Sequence, residues 1–130
     1  MNKSRQNKNI NVLDCTFRDG GYYNHWNFDL KLIKKYIDIM LRLDVKIIEL
    51  GFRFLETNQN LGILATTTDN LLDRLKIPKK LKVAVMINAK EFLNHSKGEI
   101  SAADKVFKDA KKSRVDLIRV AININSAPDC

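Results

Sequence analysis

The sequence predicts an α/β fold with parallel strands, the N-terminal half of a TIM-type (β/α)8 barrel. Segments with the alternation of strands take turns with segments of helical period, which is the order of parallel α/β folds. Three of the four predicted strands are apolar on one face and become polar toward the carboxyl end of the other, as strands that line a barrel mouth do. A complete barrel of this type needs about 250 residues. The chain has 130, enough for about four β/α units.

The first half of the chain carries two predicted strands and one predicted helix. Residues 10–17 alternate between two faces and predict a strand, and residues 46–52 predict a second one. Between them, residues 29–43 have apolar side chains at every third or fourth position. This period predicts a helix, which Asn27 or Asp29 caps.

The second half continues the alternation. Strands are predicted over residues 81–88 and 116–124, and helices over residues 68–75 and 101–113. Ser101 and Asp104 resemble a capping box at the start of the last helix. Residues 53–67 show no clear period, and residues 90–98 are predicted as a loop with one helical turn.

Composition and charge restrict the class of protein. Residues 1–9 are polar and basic and predict a flexible tail, so that residues 10–130 form the one partial barrel domain. The net charge of +8 comes from lysines spread along helices without a nucleic-acid motif, so no nucleic-acid partner is expected. We expect neither a membrane span nor a secretory signal, because no apolar run is long enough for a span and none follows the basic residues 1–9. Cys15 and Cys130 suggest no disulfide framework, and a cytoplasmic location is expected.

The chemistry of the chain is concentrated where the first predicted strand ends. Arg18 and Asp19 follow that strand and precede Gly20 and Gly21. On these residues alone, a plain ion pair in a loop is the favoured interpretation. Glu49, however, lies in the middle of the second predicted strand, where a buried carboxylate needs a cationic partner or a proton. The sequence therefore predicts a functional site at this edge of the sheet.

The motif on the first strand resembles a known family of enzymes. Asp14, Thr16, Arg18, Asp19 and Gly20, together with Glu49 on the second strand, resemble the signature of the HMG-CoA lyase-like barrels. These enzymes are also called DRE-TIM metallolyases or the pyruvate carboxyltransferase domain family. The chain is most similar to the branch of 4-hydroxy-2-oxovalerate aldolases, over residues 11–123.

The resemblance implies an aldolase-type lyase that breaks or forms a carbon–carbon bond of a 2-oxo acid through a pyruvate-like enolate. Asp19 would bind a divalent metal, Mg²⁺ or Mn²⁺ with Zn²⁺ as an alternative, which acts as a Lewis acid. Arg18 would stabilise the enolate oxygen, and Glu49 would hold Arg18 in place. The implied partners are a small 2-oxo acid or an aldehyde and a further copy of the chain.

The chain departs from the family pattern in three places, of which the mildest is Phe17, where the family has a leucine. Tyr22 stands where the aldolases have a catalytic histidine, and a phenol is a poorer base than an imidazole at neutral pH. His25 could replace it, although a surface loop residue is the favoured interpretation. The family's His-x-His metal pair has no counterpart in this sequence, whose histidines are His25 and His95. We therefore expect these 130 residues alone to be inactive.

Two alternatives to the aldolase stay open. One is a Claisen-type acyl transfer, as in the isopropylmalate synthase branch, and the other is a non-catalytic α/β fragment.

Further residues are candidates with weaker support. Asn88, Arg119 and Asn123 lie near strand ends, where they would bind substrate or satisfy backbone groups. Cys15 is predicted to be a small core residue. Tyr22, Tyr23 and Trp26 form a predicted aromatic loop that either closes over a substrate or packs on the first helix.

Overall fold

The computed structural model describes residues 10–129, so the predicted tail and Cys130 lie outside the described residues. Four parallel strands form one sheet in the order β1-β2-β3-β4, with β1 at Leu13–Asp14, β2 at Ile47–Phe52, β3 at Lys82–Asn88 and β4 at Leu117–Ala121. Neighbours in sequence are neighbours in the sheet, which is the order of strands in a (β/α)8 barrel. The predicted α/β class with parallel strands is confirmed.

Five helices accompany the sheet in the described part of the chain: α1 at Thr16–Asn24, α2 at Leu30–Arg42, α3 at Asp69–Leu75, α4 at Ala89–Leu93 and α5 at Gly98–Phe107. Asp29 caps α2 by accepting hydrogen bonds from the backbone of Lys31 and Leu32, and Thr68 caps α3 in the same way. None of the described helices combines the length and the apolar character that crossing a bilayer requires.

The structure corrects the first predicted element. Residues 10–17 were predicted as one strand, but the strand ends at Asp14 and helix α1 begins at Thr16. The reason is local, because the Asp14 side chain accepts a hydrogen bond of 3.0 Å from the Thr16 backbone and turns the chain. The Asp19 backbone then donates to the Cys15 carbonyl at 2.9 Å, which is the first helical bond. The Arg-Asp-Gly-Gly segment is therefore helical, and so is the predicted aromatic loop as far as Asn24.

Three further boundaries differ from prediction. Helix α5 begins at Gly98, so Ser101 lies inside it and the predicted capping box is wrong; the helix ends at Phe107 rather than at residue 113. The loop at residues 53–67 contains a short 3-10 helix at Ile63–Ala65. Strand β4 stops at Ala121, and a second 3-10 helix follows at Ile124–Asp129.

The main core lies between the sheet and the helices. Buried apolar side chains from β2, β3, α2 and α3 form one cluster, which includes Ile33, Ile48, Leu50, Leu72 and Val83. Ile48, Leu50 and Val83 lie on the face of the strands that the helices cover, and the opposite face carries the polar residues described below.

Arg53 connects the end of β2 to two helices. Its buried guanidinium donates to the Thr67 carbonyl at 3.2 Å, to the Val106 carbonyl at 2.7 Å and to the Asp69 carboxylate at 2.9 Å. Burial by itself raises the pKa of Asp69, but hydrogen bonds from Arg53 and Ser113 outweigh it and lower that pKa below its ordinary value. Since each of its three nitrogens donates to a different part of the chain, Arg53 has a structural role.

The outer face of β4 is apolar and open to solvent. Ile118 and Val120 are 43% and 52% exposed, on the face that helices cover in β2 and β3. Among residues 10–129, β1 and β4 are the edge strands of the sheet, and each presents backbone groups that no neighbouring strand pairs. We therefore expect the chain to self-associate, with a mass by light scattering that rises with protein concentration.

A charge on this face should reduce the association. Val120→Lys should shift the measured mass toward the monomer, whereas Ile100→Lys, at a position 78% exposed on α5, should leave it unchanged. A mass that stays monomeric for the unmodified chain at all concentrations would contradict the expectation.

Candidate active site

The candidate site lies on the sheet face that points away from the core. Glu49 alternates along β2 with Ile48 and Leu50, which pack toward the helices, so its side chain is directed to the opposite face. Glu49 is paired with Ala84 of β3, and Met86, two residues further along that strand, is paired with Arg119 of β4. Arg119 therefore lies on the same face of the sheet as Glu49. Side chains from β2 and β4 thus meet across β3.

Glu49 is fully buried and binds two arginines. Its Oε2 accepts a hydrogen bond from Arg18 Nε at 2.9 Å, and its Oε1 accepts one from Arg119 Nε at 2.9 Å. The Arg18 side chain is 12% exposed and that of Arg119 is 40% exposed. A buried carboxylate with two charge-assisted bonds is a fixed support for both guanidinium groups.

Arg18 is held from several sides. Burial, the largest effect, disfavours its charge, but the hydrogen bond and the charge of Glu49 outweigh burial and raise the pKa of Arg18. Its Nη1 contacts Asp19 Oδ1 at 2.5 Å, and its backbone carbonyl accepts a bond of 3.0 Å from the Trp26 indole. Arg18 is therefore a permanent cation with a fixed position on α1.

Asp19, the predicted metal ligand, is half exposed and next to a thiol. Its Oδ2 accepts a hydrogen bond from Cys15 Sγ at 3.0 Å. Cys15 lies at the N-cap of α1 and is only partly buried, so the predicted core position for it is wrong. Within residues 10–129, no group of three or more His, Cys, Asp or Glu side chains is arranged to hold a metal ion. The donors present do not fit a complete divalent-metal centre.

The pairing of Cys15 with Asp19 has a measurable consequence. The hydrogen bond to Asp19 and burial raise the pKa of the Cys15 thiol, which keeps it protonated and slow to react. In a Cys130→Ser background, Asp19→Asn should lower this pKa and accelerate alkylation of Cys15 by iodoacetamide at pH 8 severalfold. Mass spectrometry of the modified peptide gives the rate, and an equal or slower rate in Asp19→Asn would contradict the expectation.

The other candidates lie at the carboxyl edge of the sheet. Tyr22, Asn88 and Asn123 line one cavity of about 420 Å³, together with Phe52, Phe54, Ala121 and Ile122. Arg119 and Asn123 were predicted as substrate-binding residues with Asn88; the structure places Arg119 deeper, against Glu49. Tyr22 lies four residues after Arg18 in α1, so both side chains are on one face of that helix.

His25 is placed away from this arrangement. It is an exposed residue at the C-cap of α1 with a φ of 57°, and its carbonyl accepts a bond of 2.8 Å from the Gly62 backbone. His95 lies after α4, where its ring accepts a bond from the Lys97 backbone.

Sequence analysis missed two features of the site. It did not pair Arg119 with Glu49, although both residues had been assigned to the polar faces of their strands. It also did not assign Phe52 and Phe54 to the cavity. Regular alternation places Phe52 on the face of Ile48 and Leu50, but the register of β2 shifts between Glu49 and Gly51, so Phe52 pairs with Met86 instead. The sequence contains no clear signal of this irregularity.

Comparison with known proteins gives one informative match. No protein-family model matches the chain, and no curated protein sequence matches it. Among solved structures, the chain is similar to the crystal structure of the N-terminal domain of a "putative aldolase" from Bacteroides vulgatus, with 30% identical residues and a TM-score of 0.73. The match covers 92% of this chain and 38% of that chain.

This match supports an aldolase-like N-terminal half at the level of fold and sequence. The narrower assignment to the HMG-CoA lyase-like superfamily depends on the motif around Arg18 and remains a prediction.

Proposed function

We propose that this chain supplies the arginine-bearing half of the active site of an aldolase-type carbon–carbon lyase that acts on a 2-oxo acid. The observation that carries the proposal is the buried carboxylate of Glu49, which binds Arg18 and Arg119 through their Nε atoms at 2.9 Å. The similarity to the N-terminal domain of a "putative aldolase" supports the same class of enzyme.

Each arginine keeps donors for a substrate after binding Glu49. Within the described residues, Nη2 of Arg18 and both Nη atoms of Arg119 have no hydrogen-bond partner. A guanidinium binds a carboxylate or an oxyanion with the geometry of a fork. Arg119 would bind the carboxylate of the 2-oxo acid, and Arg18 would stabilise the enolate oxygen that develops as the carbon–carbon bond breaks.

Tyr22 and the two carboxamides would serve the other end of the substrate. Tyr22 lies above Arg18 on α1 and lines the cavity with Asn88 and Asn123. Its hydroxyl would relay a proton to or from the substrate oxygen at which the second carbonyl forms. Asn88 and Asn123 would orient that part of the substrate.

We propose that the chain supplies only part of the predicted metal site. Asp19 would give it one oxygen ligand, and the remaining ligands would come from outside the described residues. Such a metal would polarise the oxygens of the 2-oxo acid.

Oxalate, a planar analogue of the pyruvate enolate, tests the role of the arginines. It should bind more tightly than acetate in calorimetric titration, and Arg18→Met or Arg119→Met should each weaken it at least tenfold, since each removes one charge-assisted contact. Arg74→Met changes an exposed arginine on α3 and should have no effect. Equal affinities for oxalate in all four proteins would refute the proposal.

A Mn²⁺ titration tests the metal separately. One carboxylate cannot build a metal site, so the chain should bind Mn²⁺ only in the millimolar range. Micromolar affinity that is lost in Asp19→Asn would show that the 130 residues already contain the complete site.

A further inference from the structure

The cavity lined by Tyr22, Asn88 and Asn123 has two carboxamides with fixed orientation. Asn88 Oδ1 accepts a hydrogen bond of 3.1 Å from the Lys90 backbone, and Asn123 Oδ1 accepts one of 2.9 Å from the Asn125 backbone. An amide whose oxygen is occupied in this way offers its NH₂ group to further partners. Both carboxamides therefore present NH₂ donors, which suit a ligand with acceptor oxygens.

One wall of the cavity is aromatic, and Ala121 and Ile122 line it as well. Phe52 and Phe54 are stacked with their ring centroids 4.5 Å apart, and the Tyr22 ring meets Phe52 edge-on at 6.2 Å. Behind them, the buried Trp26 ring packs 5.0 to 5.3 Å from Tyr22, Phe52 and Phe54. Phe52 and Trp26 are buried, and they fix the more accessible rings of Tyr22 and Phe54 in place.

We propose that this cavity binds a planar aromatic ring that carries a carbonyl oxygen. The ring would pack against Tyr22 and Phe54, and the oxygen would accept hydrogen bonds from Asn88 or Asn123. The volume of about 420 Å³ lies within the range of about 300–1,000 Å³ that is usual for small-molecule sites. That the ligand is the second substrate, an aromatic aldehyde, rests on the function proposed above.

Two uncharged amides separate the contribution of the ring from that of the oxygen. Benzamide and cyclohexanecarboxamide carry the same head group, and only benzamide has a flat π-system. Trp26 is the single tryptophan of the chain and touches the cavity wall, so its fluorescence reports binding. Benzamide should quench Trp26 saturably and bind about threefold to tenfold more tightly than cyclohexanecarboxamide, as expected for one aromatic contact. Saturation-transfer NMR gives an independent affinity.

Adjacent tyrosines of α1 provide matched variants. Tyr22 lines the cavity, whereas Tyr23 is 93% exposed and is not among the cavity residues. Tyr22→Leu should weaken benzamide about threefold to tenfold, and Tyr23→Leu should leave its affinity unchanged. Asn123→Ala should weaken both amides equally, because it removes a donor to the shared oxygen.

Two results would overturn the proposal: equal affinities for the two amides, or equal effects of the two tyrosine variants. The outcome is separate from that of the proposed function, because neither amide carries a charge for the arginines. Benzamide binding without tighter binding of oxalate than of acetate would support the aromatic-ring site and refute the proposed lyase function. Tighter binding of oxalate than of acetate, without benzamide binding, would support the proposed lyase function and refute the aromatic-ring site.

Discussion

Gly21→Ala is expected to lower the free energy of unfolding by about 3 kcal/mol. A Cβ atom at this position would lie 1.9 Å from Cδ1 and 2.1 Å from Nε1 of Trp26, well inside any real contact. Trp26 cannot withdraw easily, because its indole is buried and donates to the Arg18 carbonyl. The expected cost is that of an overpacked core, and it exceeds the gain of about 1 kcal/mol that alanine brings to a helix.

Gly20→Ala is the matched control for this prediction. A Cβ at Gly20 would meet only Phe28 Cζ at 3.6 Å, an ordinary contact. This variant should be as stable as the unmodified chain or up to about 1 kcal/mol more stable. Urea unfolding followed by Trp26 fluorescence measures both variants, and equal stabilities of Gly20→Ala and Gly21→Ala would contradict the packing described here.

The coupling between Gly21 and Trp26 can be measured directly. If the clash is with the indole, Gly21→Ala should cost much less in a Trp26→Leu background than alone. Unfolding of this pair has to be followed by circular dichroism, because the tryptophan is absent. Additive costs would locate the effect of Gly21→Ala elsewhere.

Glu49→Leu is expected to cost about 3 kcal/mol of stability. The substitution leaves Arg18 and Arg119 without their shared carboxylate, so two like charges face each other at a partly buried place. We expect the lower end of the range for broken buried pairs, because the Arg119 side chain is 40% exposed and solvent screens part of its charge. Glu49→Gln keeps one acceptor oxygen, so its stability should lie between that of the unmodified chain and that of Glu49→Leu.

A triple variant separates charge from packing. Arg18→Met and Arg119→Met added to Glu49→Leu should recover most of the lost stability, since apolar residues can replace a buried ionic group at little cost. Urea unfolding measures the stabilities, which can be compared when the unfolding free energy falls with urea concentration at the same slope in all variants. If the triple variant were as unstable as Glu49→Leu, the loss would come from shape and not from uncompensated charge. Oxalate binding should be absent from the triple variant even when its stability returns.

The sequence alone determined the class of fold and one of the two ion pairs of Glu49, the pair with Arg18. The period of residues 29–43 and the alternation of residues 46–52 are local properties, so the order of strands and helices followed from them. The cost of an unpaired carboxylate in a strand predicted that Glu49 needs a cation, and the structure places Arg18 there.

Helix α1 was missed because its stability comes from contacts outside the segment. The Arg-Asp-Gly-Gly sequence has weak helix propensity and resembles a loop. Phe17 packs edge-on against Phe28 and Tyr36, both at 4.5 Å, and Trp26 packs against Gly21. This packing holds the segment as a helix and sets Arg18 and Tyr22 on one face.

Only the tertiary structure decided which residues share the site. Arg119 reaches Glu49 across 70 positions of sequence, because parallel pairing through β3 brings the polar faces of β2 and β4 together. The aromatic cavity likewise joins Tyr22, in the last turn of α1, to the ends of three strands. A single sequence contains the alternation that puts each side chain on a face, but it does not contain the register between strands. Register depends on how the whole sheet packs, and it determined that Glu49 holds two arginines instead of one.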